Sequence, residues 1–273
     1  MKRPTSYTRL QYLRFQSLSF LKNSFIWLDL LEAMTKRELV VRYKRTELGF
    51  IWIVVTPIFQ MLVIGLIFQH LLSNSIQNYF LYLLSGLLAW NYFSQTVLKN
   101  TQAIVNERHM IKKSRFPREI IVISISLAHL VHFIVGLTLL LVVSIVNGVQ
   151  TNIFHLVLGI ILLFVTTIGL SLLTSAINVR FRDTSFGVSI LLQLLFYSTP
   201  IIYSNNQLPV NIKSIVDANP LSYIVSFFQL ALSGNSQNIS TFNATIAIVV
   251  SLTLLLLGTL VFKMKSRSFD DWL

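Results

Sequence analysis

Two histidines in an uncharged apolar run are the residues whose type and spacing come closest to a reactive site. His129 and His132 lie one helical turn apart, on the same face of a predicted helix. A metal ion would need further ligands, and the apolar runs contain no Asp, Glu or Cys. Hydrogen bonding between helices is therefore the better interpretation of both side chains.

Other catalytic motifs are absent from the sequence. None of the ten glycines is followed by Lys, so the chain has no phosphate-binding P-loop. The count of zero cysteines excludes thiolate chemistry and disulfides. The one adjacent pair of carboxylates is Asp270-Asp271, which leaves little for general acid–base or metal catalysis. We predict a protein that is not an enzyme and holds no cofactor, and any nucleotide energy must come from another polypeptide.

The composition indicates a membrane protein. Of 273 residues, 54% are hydrophobic and only 12% are charged, about half the usual share of a soluble domain. The net charge of +12 does not indicate nucleic-acid binding, because the basic residues cluster at the edges of apolar blocks. Anionic membrane lipids attract that arrangement.

One basic stretch, Lys99 to Glu119, separates two long blocks without formal charge, Leu48–Leu98 and Ile120–Val179. Each block can supply two membrane spans of about 20 residues and a short turn. The basic stretch is therefore predicted to be a cytoplasmic loop between two hairpins, since positive charge collects on that side.

The fold class predicted is an all-α membrane protein with six transmembrane helices. The predicted spans are Phe50–Leu72, Tyr79–Leu98, Ile120–Val146, Ile153–Ile177, Ser185–Tyr203 and Ala244–Phe262. With both termini inside, 21 of the 22 basic residues are cytoplasmic and only Lys213 is not. This asymmetry predicts a multi-pass protein with N- and C-termini in the cytoplasm.

The chain divides into an N-terminal segment 1–49, a membrane domain 50–262 and a cytoplasmic tail 263–273. Trp27 to Gly49 is predicted to form an amphipathic interface helix, with Trp27, Leu30, Leu31, Met34, Val41 and Leu48 as its apolar stripe. A capping box from Thr35 to Glu38 leaves open whether this is one helix or two. A plain anchoring helix without a coupling role is the alternative.

Two further segments lie between spans. The outer segment 204–243 contains an apolar run, Leu221–Leu232, that is too short to cross and is predicted to be re-entrant or interfacial. In the basic loop, Ile104-Val105 and Met110-Ile111 alternate with charges, which fits a short helix that docks into a partner's groove. A solvated positive loop is the alternative.

Six motifs resemble, in order, those of the ABC-2 type permeases that export bacterial surface polysaccharides. They are Glu38-Leu-Val-Val-Arg-Tyr-Lys44, Leu48-Gly-Phe-Ile-Trp52 with Pro57, Ile111-Lys-Lys-Ser-Arg-Phe-Pro-Arg-Glu119, Asn178-Val-Arg-Phe-Arg-Asp183, Thr199-Pro-Ile-Ile-Tyr203 and Asn219-Pro220. Gln229 departs from the Arg that relatives often place there, which leaves open what the re-entrant segment contacts.

The resemblance implies a homodimer in the bacterial inner membrane, bound to two copies of an ABC ATPase that holds ATP and Mg. It implies an undecaprenyl-linked glycan, O-antigen above all, as substrate. The predicted ATPase-coupling residues are Glu38, Arg42, Ile104, Glu107, Arg108, His109, Met110, Ile111 and Lys112. The predicted substrate path uses aromatic faces on which a sugar chain can slide: Trp52, Tyr92, Phe93, Tyr197, Tyr203, Tyr223, Phe227 and Phe228.

Three alternatives stay open at this point. With 20 Phe in the chain, any one aromatic side chain can simply pack against lipid or helices. The same fold can export a drug or a small lipid. A membrane-embedded glycosyl- or acyltransferase, or a passive channel, would be a protein of a different class.

Overall fold

The structure, a computed structural model, describes residues 26–41, 51–72, 76, 78–114, 116–205, 208–234 and 241–272. All regular secondary structure among them is helical, which confirms the predicted all-α class. Residues 26–41 form helix α1. The further helices are α2 (Ile51–Leu72), α3 (Tyr79–Asn106), α4 (Arg108–Lys113), α5 (Glu119–Val146), α6 (Ile153–Arg180), α7 (Thr184–Ser198), α8 (Val210–Asp217), α9 (Pro220–Ser233), α10 (Thr241–Ser266) and α11 (Phe269–Trp272).

Three helices of the described chain are long and apolar enough to cross a membrane. They are α5, α6 and α10, with 28, 28 and 26 residues. Their positions match the third, fourth and sixth predicted spans. The total of six spans also requires α2, α3 and α7, and stays a prediction.

The second predicted span ends too early. Helix α3 continues from Leu98 to Asn106, so the first part of the predicted loop is helical. Two polar side chains in this extension, Asn100 and Thr101, are buried against neighbouring helices. Asn100 Nδ2 donates to Ser126 Oγ on α5 at 2.9 Å, and Thr101 Oγ1 donates to Thr174 Oγ1 on α6 at 2.9 Å. Because these partners lie far along the chain, local hydropathy did not indicate the extension.

The fifth predicted span is too long. Helix α7 ends at Ser198, and Thr199 is extended, with φ −98° and ψ 131°. Pro200 explains this, because a proline disfavours helical backbone in the residue before it. At 15 residues, α7 is about 22 Å long. That is shorter than the roughly 30 Å hydrocarbon core of a bilayer.

Helix α6 lies at the centre of the bundle, in contact with α3, α5, α9 and α10. Its closest neighbour is α10, where two glycines meet. A Cβ atom added to Gly258 would lie 2.1 Å from the carbonyl oxygen of Gly169. Small residues at such a crossing let two backbones approach and gain van der Waals contact, which is how membrane helices associate.

The buried apolar side chains form one cluster at each end of the bundle. In the first cluster, α9 packs against α3, α5 and α6 through large side chains such as Phe93 and Phe228. In the second, α1, α4 and α11 contribute Met34, Ile111 and Phe269. We call the end with α8 and α9 the far end, and the end with α1, α4 and α11 the basic end.

Between the two ends, a histidine links α3 to α5. Thr96 Oγ1 lies 3.0 Å from His129 Nδ1, and both side chains are buried. This contact confirms the prediction of hydrogen bonding between helices for His129. The ring of His132 lies 6.4 Å from that of His129, centroid to centroid, in an edge-on arrangement.

At the far end, the Asn-Pro motif starts α9. Asn219 Oδ1 accepts from the backbone N–H of Leu221 at 3.1 Å, and Pro220 occupies the first turn. Both features are typical of a helix N-terminus. Asn219 Nδ2 also donates to Thr199 Oγ1 at 2.9 Å, which joins this motif to the Thr-Pro motif after α7.

Candidate partner-docking surface and substrate groove

Helix α1 lies across the basic end, with its apolar side packed into the bundle. Met34 is 5% exposed, and Trp27, Leu30 and Leu31 pack against the same cluster. The predicted apolar stripe is confirmed for these four residues. Val41 was assigned to the same stripe but is 65% exposed and does not pack into this cluster, so its place on the stripe stays a prediction.

The structure also decides between one helix and two for residues 26–41. Thr35 lies inside a continuous helix, and its Oγ1 donates to the carbonyl of Leu31 at 2.7 Å. It therefore does not cap a new helix. Leu48, the last residue of the predicted stripe, and Arg42, a predicted coupling residue, lie outside the described residues.

Two ion pairs connect α1 to the end of α3. Glu38 binds Lys99, and Arg37 binds Glu107. Glu38 and Glu107 were both predicted to couple this chain to an ATPase. The structure places them at the contact between α1 and α3, where each carboxylate already has a cation. A third pair lies within α1, where Lys36 Nζ is 2.6 Å from Glu32 Oε1. That hydrogen bond lowers the pKa of the Glu32 carboxyl.

Helix α4 confirms the prediction of a short helix for Met110 and Ile111, whereas Ile104 and Val105, assigned to the same short helix, lie on α3. Its polar residues Arg108, His109 and Lys112 are exposed. Ile111 is 5% exposed and Met110 is partly buried, and both belong to the cluster at the basic end. Ile104, on α3, has no exposed surface. The predicted apolar coupling residues thus pack into their own chain.

An open groove of about 610 Å³ lies between α1, α3 and α7. Its walls combine amides, hydroxyls and one cation with apolar side chains. It is lined by Val41, Gln95, Leu98, Lys99, Gln102, His129, Ser185, Phe186 and Ser189. Gln95, Lys99 and Gln102 recur at the spacing that places side chains on one helix face. Groups of this kind can bind sugar hydroxyls, and the exposed ring of Phe186 offers a flat apolar surface.

The predicted substrate-path aromatics fall into two sets. Trp52 and Tyr197 are 47% and 65% exposed, and Tyr203 is partly exposed with its Oη donating to the carbonyl of Tyr197 at 2.8 Å. The other five are buried at the first cluster. They are Tyr92, Phe93, Tyr223, Phe227 and Phe228. In this conformation those five side chains contact protein, and their part in a substrate path stays a prediction.

Gln229, the departure from the motif, has a definite partner. It is 2% exposed, and its Nε2 donates to the carbonyl of Pro200 at 2.9 Å. The Oη of Tyr82 lies 3.0 Å from the same carbonyl. The side chain therefore joins α9 to the break after α7.

The sequence analysis did not anticipate the role of the tail. Phe269 on α11 has no exposed surface and packs edge-on against Phe262. Arg118 donates to the carbonyl of Ser266 and lies over the Phe269 ring, 5.7 Å from its centroid. Arg180 lies 5.5 Å from the centroid of Trp272. The sequence signal for this role was the presence of two aromatic residues, Phe269 and Trp272, in a short charged tail.

Comparisons with known proteins give one family and several relatives of this chain. The profile of the ABC-2 type transporter family matches residues 29–232. The chain is 32% identical over 234 residues to the O-antigen export system permease protein RfbA of Klebsiella pneumoniae, which covers 83% of this chain and 90% of that protein. It is 34% identical over 177 residues to the O-antigen export system permease protein RfbA of Myxococcus xanthus, an alignment that covers 64% of this chain and 68% of that protein. It is 22% identical to the capsule polysaccharide export inner-membrane protein CtrC of Neisseria meningitidis, an alignment that covers 92% of this chain and 97% of that protein.

Proposed function

Because this chain belongs to the ABC-2 type transporter family, we propose that it is the permease subunit of an exporter of lipid-linked polysaccharide. The substrate class we assign is an O-antigen or a similar glycan on an undecaprenyl-type lipid. The proposal rests chiefly on the similarity to an O-antigen export permease at 32% identity over 90% of its length. The direction of transport is outward across the bacterial inner membrane.

In this proposal α2, α3, α5, α6, α7 and α10 span the membrane and the basic end faces the cytoplasm. The support is the distribution of charge, with 21 of 22 cations on the cytoplasmic segments. Helix α9 is the re-entrant element at the far end. Its 14 residues are about 21 Å long, too short to cross, and most of its side chains are buried.

The groove between α1, α3 and α7 is the cytoplasmic beginning of the substrate path. It is open on one side, and a second copy of the chain would close it to form a channel. Trp52 and Tyr197 have the exposed rings that a sugar chain needs, with Tyr203 beside Tyr197. Lys99 supplies a positive charge that can attract the phosphate of a lipid-linked substrate, although Glu38 partly neutralises it.

Energy comes from two copies of a separate ABC ATPase, which hold ATP and Mg. The surface that binds them is formed by α1 and α4. When the two ATPase subunits close on ATP, they move α4. Ile111 of α4 and Ile104 of α3 belong to the same buried cluster, so the movement passes to α3 and α5 and changes the width of the channel.

The test is a deletion of the gene in the source bacterium. We expect the surface glycan to disappear and its lipid-linked form to accumulate on the cytoplasmic leaflet of the inner membrane. The wild-type gene supplied in trans should restore both. Normal surface glycan in the deletion strain, or accumulation of a drug or a small lipid instead, would contradict the proposed substrate.

A further inference from the structure

The outward side of α4 carries an unusual concentration of positive charge. Arg108, His109, Lys112 and Lys113 are all exposed. At about 100° per residue these four positions fall within an arc of about 140°. Met110 and Ile111 occupy the opposite side and belong to the chain's own core.

In the part of the chain that the structure describes, no carboxylate neutralises these cations. Among the described residues, no ion pair involves Arg108, Lys112 or Lys113. The nearby acids have other partners, since Glu107 binds Arg37 and Glu38 binds Lys99. Burying three unpaired cations against a neutral or basic surface would be strongly unfavourable, whereas carboxylates opposite them would compensate.

Apolar anchoring is not available to α4 in this arrangement. A helix that docks into a hydrophobic groove presents apolar side chains at successive turns of one face. Here Ile111 is 5% exposed, and the exposed face of α4 has no large apolar residue. The attraction between α4 and a partner must therefore be mainly electrostatic.

We propose that the ATPase surface that receives α4 is acidic, and that its carboxylates pair with Arg108, Lys112 and Lys113. This inference rests on the proposed function, because it assumes that α4 contacts the ATPase. It assigns the contact a definite chemistry: cations attract the partner from outside, while Ile111 holds α4 to its own chain from inside. One side of this short helix thus binds the ATPase, and the other side transmits the movement of α4 to the rest of the chain.

The first experiment uses the intact complex isolated from native membranes with the wild-type permease. A carbodiimide joins lysine amines to carboxylates without a spacer, and mass spectrometry then identifies the joined residues. We expect Lys112 and Lys113 to be joined to Asp or Glu of the ATPase. A complex in which neither lysine is joined to a carboxylate of the ATPase would overturn the proposal.

The second experiment changes the charge. The double variant Lys112→Glu, Lys113→Glu should retain at least tenfold less ATPase, and Lys112→Arg, Lys113→Arg should retain the wild-type amount. Wild-type binding should also weaken as NaCl is raised from 50 to 500 mM. The matched control is Lys263→Glu, Arg267→Glu, which makes the same charge change at two exposed tail residues of the basic end. Monodisperse elution of every variant checks folding.

The outcomes separate this inference from the function on which it rests. If no ATPase co-purifies with the wild-type chain, the proposed function fails. If the ATPase co-purifies equally well with the Glu and Arg variants, only the acidic surface is wrong. If the Glu variant keeps its ATPase but retains less anionic phosphatidylglycerol than the wild type when purified, α4 is a lipid contact, and the inference is overturned.

Discussion

One buried backbone carbonyl at the far end has two side-chain partners. The break after α7 leaves the carbonyl of Pro200 without a helical partner, and burial removes it from water. Gln229 Nε2 donates to it at 2.9 Å, and the Oη of Tyr82 lies 3.0 Å away. An unpaired buried carbonyl would cost about 1–3 kcal/mol, so these side chains stabilise the fold chiefly by preventing that cost.

Replacing Gln229 tests this contact. Gln229→Leu removes one of the two donors to this carbonyl while Tyr82 keeps the other, so we expect a loss of about 0.5–1.5 kcal/mol in the free energy of unfolding. The measurement is thermal unfolding of the purified chain in detergent. Gln150→Leu is the matched control, because Gln150 is exposed. Equal melting temperatures for the two variants would show that Gln229 does not stabilise the fold.

At the scale of single residues, the sequence indicated which charged side chains form contacts, but not which residues of the same chain they pair with. Glu38 and Glu107 were assigned to an ATPase contact because they lie in the segments that the resemblance identifies as interface and coupling helices, and that contact stays a prediction. The structure pairs them with Lys99 and Arg37, 61 and 70 residues away. No local pattern indicates a contact over that distance, since it exists only after α1 folds back on α3.

Among the elements, α6 and α10 form the closest pair. The backbone of α10 at Gly258 touches that of α6 at Gly169, with no space for a side chain between them. Hydropathy predicted the middle of both helices correctly but not this crossing. Glycine has little effect on hydropathy, and it stabilises a helix crossing only where another helix lies opposite it.

A methyl group at the crossing should separate the two helices. In Gly258→Ala the new Cβ would lie 2.1 Å from a backbone oxygen that cannot rotate away. We expect a loss of about 1–3 kcal/mol in the free energy of unfolding and a lower yield of monodisperse protein. Gly187→Ala is the control, since nothing lies within 4 Å of its Cβ position. The idea fails if the two variants unfold at the same temperature.

The tail helix α11 is an element that the sequence did not suggest, because four residues have no periodicity to detect. Phe269 nevertheless fills a site against Phe262 and beneath Arg118. Phe269→Ala should lower the free energy of unfolding by about 3–5 kcal/mol, as expected for a buried Phe in a packed core. Met264→Ala, at a residue that is 75% exposed, should have almost no effect.

Limited proteolysis complements the thermal measurement of the Phe269 variant. If α11 holds the ends of α5 and α6 together through Arg118 and Arg180, its loss should expose cleavage sites at the basic end only. Faster cleavage at the far end as well would indicate general unfolding, and an unchanged digest would show that α11 is not a structural part of the bundle.

For the whole molecule, composition and charge predicted the fold class and most helix positions, and the resemblance of six motifs predicted the family. Three of the predicted spans coincide with helices long enough to cross a membrane. The ends of α3 and α7 were misplaced because tertiary hydrogen bonds and one proline determine them. The substrate path stays a prediction, and five of its eight aromatic candidates are buried within the chain.

The orientation of the molecule can be tested directly, because the chain contains no cysteine and each introduced one reports a single site. Asn106 at the basic end and Asn211 on α8 are both exposed. With the basic end in the cytoplasm, a membrane-impermeant maleimide should label Asn211→Cys in intact spheroplasts. It should label Asn106→Cys only after permeabilisation, since positive charge retains that end inside. Ala247→Cys, at a fully buried residue, should stay unlabelled until the protein is denatured. Labelling of Asn106→Cys and Asn211→Cys from the same side would contradict the arrangement of spans, and the exporter mechanism depends on that arrangement.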